Sequence, residues 1–121
     1  MGRKKVFVKE NAAALKSFDE KKFNPKVIYQ SDGIKVVLVY FRKGQFIPVH
    51  NPAVELVLCV LDGEALVTAD DEKIRATKHD VIVVPKHSKR GIKALTELTL
   101  LHVVSPPPSA AEIEAVNKKL S

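Results

Sequence analysis

Short β-prone runs recur through the middle of this 121-residue chain, each closed by turn-forming residues, and that rhythm leaves few folds open. The runs occupy 26–30, 34–41, 45–50, 54–61, 64–68, 73–75, 81–84, 92–94 and 97–104. Between them stand Asp32 and Gly33, Lys43 and Gly44, Asp62 and Gly63, and Asp70 and Asp71, residues that accept a positive φ or bond their own backbone. Many short strands at close spacing build a sandwich or a barrel, so an all-β fold is expected. Two helices are expected to flank it. Asn11 can cap a short one over 12–18, and Ser109 with Glu112 forms a capping-box pattern before a helix ending near Lys118 and Lys119. Three prolines, 106–108, part that helix from the last strand. The expected division is an N-terminal extension with a strand and a short helix (1–25), a β-barrel (26–105) and a C-terminal helix (106–121), all one domain.

A chain of this length buries a core without metals or disulfides. Its single cysteine, Cys59, lies in an apolar run and is expected to be a buried reduced thiol, which favours the cytoplasm. No apolar stretch has the length of a signal peptide core or a membrane span. The net charge of +6 comes from the first 50 residues, with eleven Lys or Arg against four Asp or Glu. Such an excess favours acidic ligands, but with two Tyr, five Phe and no Trp there is no platform for stacking bases, so nucleic acid is not an expected partner.

The run 54–61 is apolar on both sets of alternating positions: Leu56, Leu58 and Val60 on one, Val57, Cys59 and Leu61 on the other. A half-exposed strand alternates apolar with polar, so a helix, the N-terminal strand or a second copy of the chain must cover the outer face. A homodimer is the expectation carried forward.

Gly44, His50 and Gly63 match, in identity and spacing, a motif Gly-x5-His-x-His-x3-4-Glu-x6-Gly, and Pro85 matches a second, Gly-x5-Pro-x-Gly-x2-His-x3-Asn. On these residues and the β-rich segments around them, the chain resembles the cupins. The resemblance implies a jelly-roll β-barrel, a divalent transition metal inside it, and pairing of subunits. The departures are as informative. Pro52 and Leu56 stand where the second His and the Glu belong, Arg90 replaces the His of the second motif, His79 and His87 replace its glycines, and Ala94 its Asn.

Of four expected metal ligands only His50 remains. A permanently protonated guanidinium at Arg90 repels a cation and has no lone pair to offer, so the usual cupin metal is disfavoured and no cofactor is expected. Glu55, next to the vacant Glu position, should point away from the interior. A rescued metal site would need His87 or His102 to turn toward His50, giving a divergent dioxygenase, decarboxylase or isomerase. The reading favoured by these residues is a metal-free pocket binding a small acidic or sugar-like molecule. His50, Arg90, His87 and His102 would be its ligand-binding residues, and Lys86, Lys89 and Lys93 would make its mouth positive. Acid or base work by His50 would need an Asp or Tyr partner that the spacing does not locate. A third reading, a structural or regulatory dimer with a filled barrel, is favoured by the apolar Pro52 and Leu56.

Overall fold

The computed structural model describes residues 7–120. Its strands are β1 (Asn24–Gln30), β2 (Lys35–Phe41), β3 (Phe46–His50), β4 (Glu55–Asp62), β5 (Glu64–Ala69), β6 (Glu72–Thr77), β7 (Val81–Val84), β8 (Arg90–Ala94) and β9 (Leu98–Ser105), followed by the helix α1 (Ala110–Leu120). They pair antiparallel into two sheets, in the orders β1-β2-β9-β4-β7 and β3-β8-β5-β6. Every run read from the sequence has become a strand, because alternation and turn residues agree at each boundary.

One core fills the space between the sheets. Val39, Phe41, Leu56, Leu58, Val60 and Leu100 of the first sheet meet Ile47, Ala65, Val67 and Ile92 of the second, all buried. Alternation fixes the register: Leu56, Leu58 and Val60 point inward, while Glu55 and Val57 are exposed on the other face of β4.

Turn backbone follows the same economy. Gly44 and Gly63 take φ of 90° and 87°, but His79 (φ 80°) and His87 (φ 67°) also adopt the left-handed region, where a Cβ is costly. These are the two positions at which glycines of the second motif were lost. The backbone there adopts a conformation that suits glycine, held by the His79 N–H on the Val60 carbonyl at 2.8 Å and the His87 N–H on the Pro52 carbonyl at 3.1 Å.

Three expectations need correction. The short helix expected over 12–18 is a single turn over 12–15. The Asn11 side chain caps it, accepting from the N–H groups of Ala13 and Ala14 at 3.0 Å, but the chain then runs on to dock. The Tyr40 hydroxyl donates to the Ala12 carbonyl at 2.7 Å and Phe18 meets the Tyr40 ring edge-on, contacts that a continued helix would not serve. The strand expected in the extension is the start of β1 at Asn24; residues 8–11 and 16–23 carry no regular element, and residues 1–6 lie outside the described part. Third, Cys59 is half-buried on the outward face of β4 and not in the core.

That outward face is apolar over the middle of β2, β9, β4 and β7, with Lys26 of β1 at one edge. Register aligns Tyr29, Val36, Val103, Val57 and Val83 in one cross-strand row, and Lys26, Leu38, Leu101, Cys59 and Val81 in the next. The N-terminal segment packs on Tyr40 at one end of this face. At the other, Val81 and Val83 on the edge strand β7 are 61% and 62% exposed. Neither the N-terminal segment nor α1 answers the demand for a cover read from residues 54–61. No described helix is long and apolar enough to cross a membrane.

Candidate functional site

The barrel holds a cavity of about 300 Å³ between its open end and α1. His50, the last residue of β3, and Arg90, the first of β8, are cross-strand partners, so the spacing that aligned them with the family motifs places them side by side on the cavity wall. His102 joins them from the middle of β9, flanked in register by Val37 of β2 and Leu58 of β4.

Arg90 is 3% exposed. Its Nη2 donates to the carbonyls of Pro85 at 2.7 Å and Ser88 at 3.3 Å, and its Nε to that of Ser88 at 3.4 Å. Nη1 is buried with no partner, and no carboxylate bonds the guanidinium among the described residues. This buried cation is bonded only to neutral carbonyls; burial weighs against its charge, and the Glu112 carboxylate, acting without a direct bond, partly offsets that.

The two imidazoles respond to burial and to that cation. Desolvation lowers the His50 pKa first. The Pro48 carbonyl, 2.8 Å from Nδ1, opposes the shift, and Arg90 adds to it. His102 is deeper, and its pKa falls to about 4, through burial first and then through His50, Arg90 and Lys35. It is therefore a neutral ring at pH 7. The wall combines one fixed cation with two imidazoles of depressed basicity.

Of the other expected site residues, His87 is exposed in the loop before β8 and lies off the cavity wall, because its positive-φ turn directs the chain back to Pro52. Lys86, Lys89 and Lys93 are likewise exposed and off the wall; the lysines that do reach it are Lys22 and Lys35. One of these comes from the segment before β1 and the other from the start of β2.

A further wall is α1, which no sequence pattern places. Its capping box forms as read, with the Glu112 carboxylate accepting from the Ser109 N–H at 3.0 Å and the Ser109 hydroxyl accepting from the Glu112 N–H at 3.1 Å. The other Glu112 oxygen accepts from the Ala53 N–H at 2.9 Å, and the Lys119 ammonium donates to the Val49 carbonyl at 2.8 Å, so both ends of the helix are tied to the flanks of β3. These amide donors hold the Glu112 carboxyl below the usual carboxylate range. Ile113 and Val116, three residues apart, face the cavity. That spacing was the one available sign of an apolar helix face.

A transition metal does not fit these residues. Two imidazoles share the wall with a guanidinium, Pro52 and the buried Leu56 occupy the other two family positions, and among the described residues no three His, Cys, Asp or Glu side chains gather to hold an ion. His50 Nδ1 is engaged with Pro48, leaving Nε2, and the one wall carboxylate, Glu112, is engaged with backbone N–H groups. The cavity volume equals about ten waters, and its lining runs from the barrel wall out to the exposed Val27 of β1 and Ile113 of α1.

No protein-family model matches the chain, and no curated protein matches it in sequence. Solved structures do. An RmlC-like cupin from Desulfovibrio desulfuricans is 30% identical, with a TM-score of 0.75 over 83% of this chain and 97% of the other. A cupin superfamily protein from Desulfitobacterium hafniense is 25% identical, with a TM-score of 0.73 over 86% and 98%. KdgF from a Halomonas species, also 25% identical, has a TM-score of 0.68 over 72% and 81%.

Proposed function

The chain belongs to the cupin superfamily, and from that premise we propose that it is a metal-independent binding protein whose barrel takes up a small anionic molecule. The observation that carries this reading is Arg90: a guanidinium 3% exposed, on the wall of a cavity of about 300 Å³, with one buried N–H group unpartnered and no acidic residue bonded to it. A carboxylate entering the cavity would supply the missing counter-charge, in the planar geometry that suits an arginine. The half-buried Lys35 and exposed Lys22 at the opening favour the approach of anions. A cytoplasmic setting, which suits a lone unpaired thiol, belongs to the same proposal.

Calorimetric titration with acetate, inorganic phosphate, glucuronate and glucose tests it. At least one anion is expected to bind at one per chain, glucose not at all, and Arg90→Met should weaken the anion by about 100-fold. Removing a buried charge that no carboxylate bonds directly should leave the variant folded, as its melting temperature will report. Equal binding by wild type and variant, or a preference for glucose, would sink the proposal.

The uncovered sheet face supports pairing of two copies. It is uncharged over adjacent rows on β2, β9, β4 and β7, and an isologous contact meets an apolar patch with its own copy. Sedimentation equilibrium at micromolar concentration should give a dimer, and Val83→Lys, which places a charge on the exposed edge strand, a monomer. A wild-type monomer under these conditions would end this reading.

A further inference from the structure

We infer that the ligand is a small monocarboxylate with an apolar body, its acid group at Arg90 and its chain lying between β1, β2 and α1; this rests on the anion-pocket reading and narrows it. The cavity has room for on the order of ten non-hydrogen atoms, taking its volume as about ten waters. Twelve of its nineteen lining residues are apolar, so most of any ligand of that size must contact hydrocarbon. The wall itself asks for cover. Val27 and Ile113 are 53% and 41% exposed although both border the cavity, one from β1 and one from α1. Water now lies against apolar surface that a ligand's body would bury, at about 25 cal/mol per Å².

The polar groups are few and grouped. His50 and Arg90 are register partners, and His102 responds electrostatically to both. His50 already spends Nδ1 on the Pro48 carbonyl. A sugar's ring of hydroxyls would find too few partners, and each buried hydroxyl left unbonded costs about 1–3 kcal/mol. Charge gives the same answer for a diacid. Arg90 is the one desolvated cation on the wall; Lys22 is exposed and Lys35 half-buried, so their ammonium groups remain hydrated and offer a second carboxylate little. Glu112, close enough to act on both His50 and Arg90, opposes further negative charge at that end.

The test is titration calorimetry of the full chain with acetate, butanoate, hexanoate, hexanamide, adipate and glucuronate. Affinity should rise about fourfold per buried methylene from acetate to hexanoate. Hexanamide, adipate and glucuronate should each bind at least about tenfold more weakly than hexanoate, the penalty expected for an unmatched or excess polar group. Ile113→Asp, on a helix with no buried residue, should leave the fold intact and weaken hexanoate about tenfold while sparing acetate. A flat chain-length series, or glucuronate or adipate above hexanoate, would overturn the ligand class while the Arg90 anion site stood. Binding of none of the acids would overturn both.

Discussion

Gly63→Ala is expected to destabilise the protein by about 4 kcal/mol, which would leave a domain of ordinary stability barely folded. Gly63 joins β4 to β5 at φ 87°, a conformation that costs an alanine about 1 kcal/mol by itself. The larger part is steric. A Cβ built on Gly63 falls well inside contact distance of the Glu97 carbonyl oxygen and 2.8 Å from Thr96 Oγ1. Neither neighbour can give way cheaply. The Glu97 carbonyl is backbone leading into β9, and the Thr96 hydroxyl is bonded on both sides, donating to that carbonyl at 2.7 Å and accepting from the Glu64 N–H at 3.0 Å. Admitting a methyl group would push the turn before β9 away from the β4–β5 turn and open the end of the barrel. Gly33 is the control, since a Cβ there meets nothing within 4 Å; Gly33→Ala should change stability by no more than about 0.5 kcal/mol. Urea unfolding of the two variants beside wild type is sufficient. A Gly63→Ala protein within about 1 kcal/mol of wild type would show that the turn relaxes in a way its packing does not suggest.

The same glycine shows why so much of the barrel could be read in advance. Strand identity, register and turn position are set by neighbours in sequence: alternation at Leu56, Leu58 and Val60, a glycine where φ must be positive, a proline where β7 ends. Those signals are local, and they agree. The pairing of His50 with Arg90 was legible for a different reason, since a family spacing carries long-range information that no local pattern holds. What escaped is what depends on docking. The capping box at Ser109 and Glu112 announces a helix, but nothing in it says that Glu112 will also reach Ala53, 59 residues away in sequence, and so draw Ile113 and Val116 onto the cavity. Lys35 was indistinguishable from the fifteen other lysines until β2 was laid against β9. Conversely, Lys86, Lys89 and Lys93 were adjacent to Arg90 in sequence, and that adjacency misled: in a strand and its preceding loop, neighbours alternate or turn away. Asn11 erred in the same way, because a cap can begin a helix but cannot sustain one once Tyr40 and Phe18 compete for the chain.

Acidification should remove about 2 kcal/mol of stability by pH 5 and about 3 kcal/mol by pH 4, largely through His102. In the unfolded chain this imidazole titrates near its ordinary 6.5; in the fold, burial first, and then His50, Arg90 and Lys35, bring it to about 4. Between those values the unfolded state binds the proton and the native state does not, so stability rises with pH across the window and falls as pH is lowered. The contribution is fully present above pH 6.5 and lost below about 4. His50, shifted the same way, adds to the slope. Glu112, the one carboxylate on the wall, favours protonation of His50, but its oxygens are engaged by the N–H groups of Ser109 and Ala53, so it serves the helix more than the histidines. Its own depressed pKa matters only at lower pH, where it too withdraws stability as it takes up a proton. The histidine effect is therefore best isolated between pH 7.5 and 5. Urea unfolding at both values should show the loss in wild type and a much smaller one in His102→Leu, whose side chain suits the apolar wall around Val37 and Val104. If wild type and His102→Leu lose stability in parallel, the proton is going elsewhere, and the picture of a neutral imidazole held in the wall near the Arg90 cation is wrong.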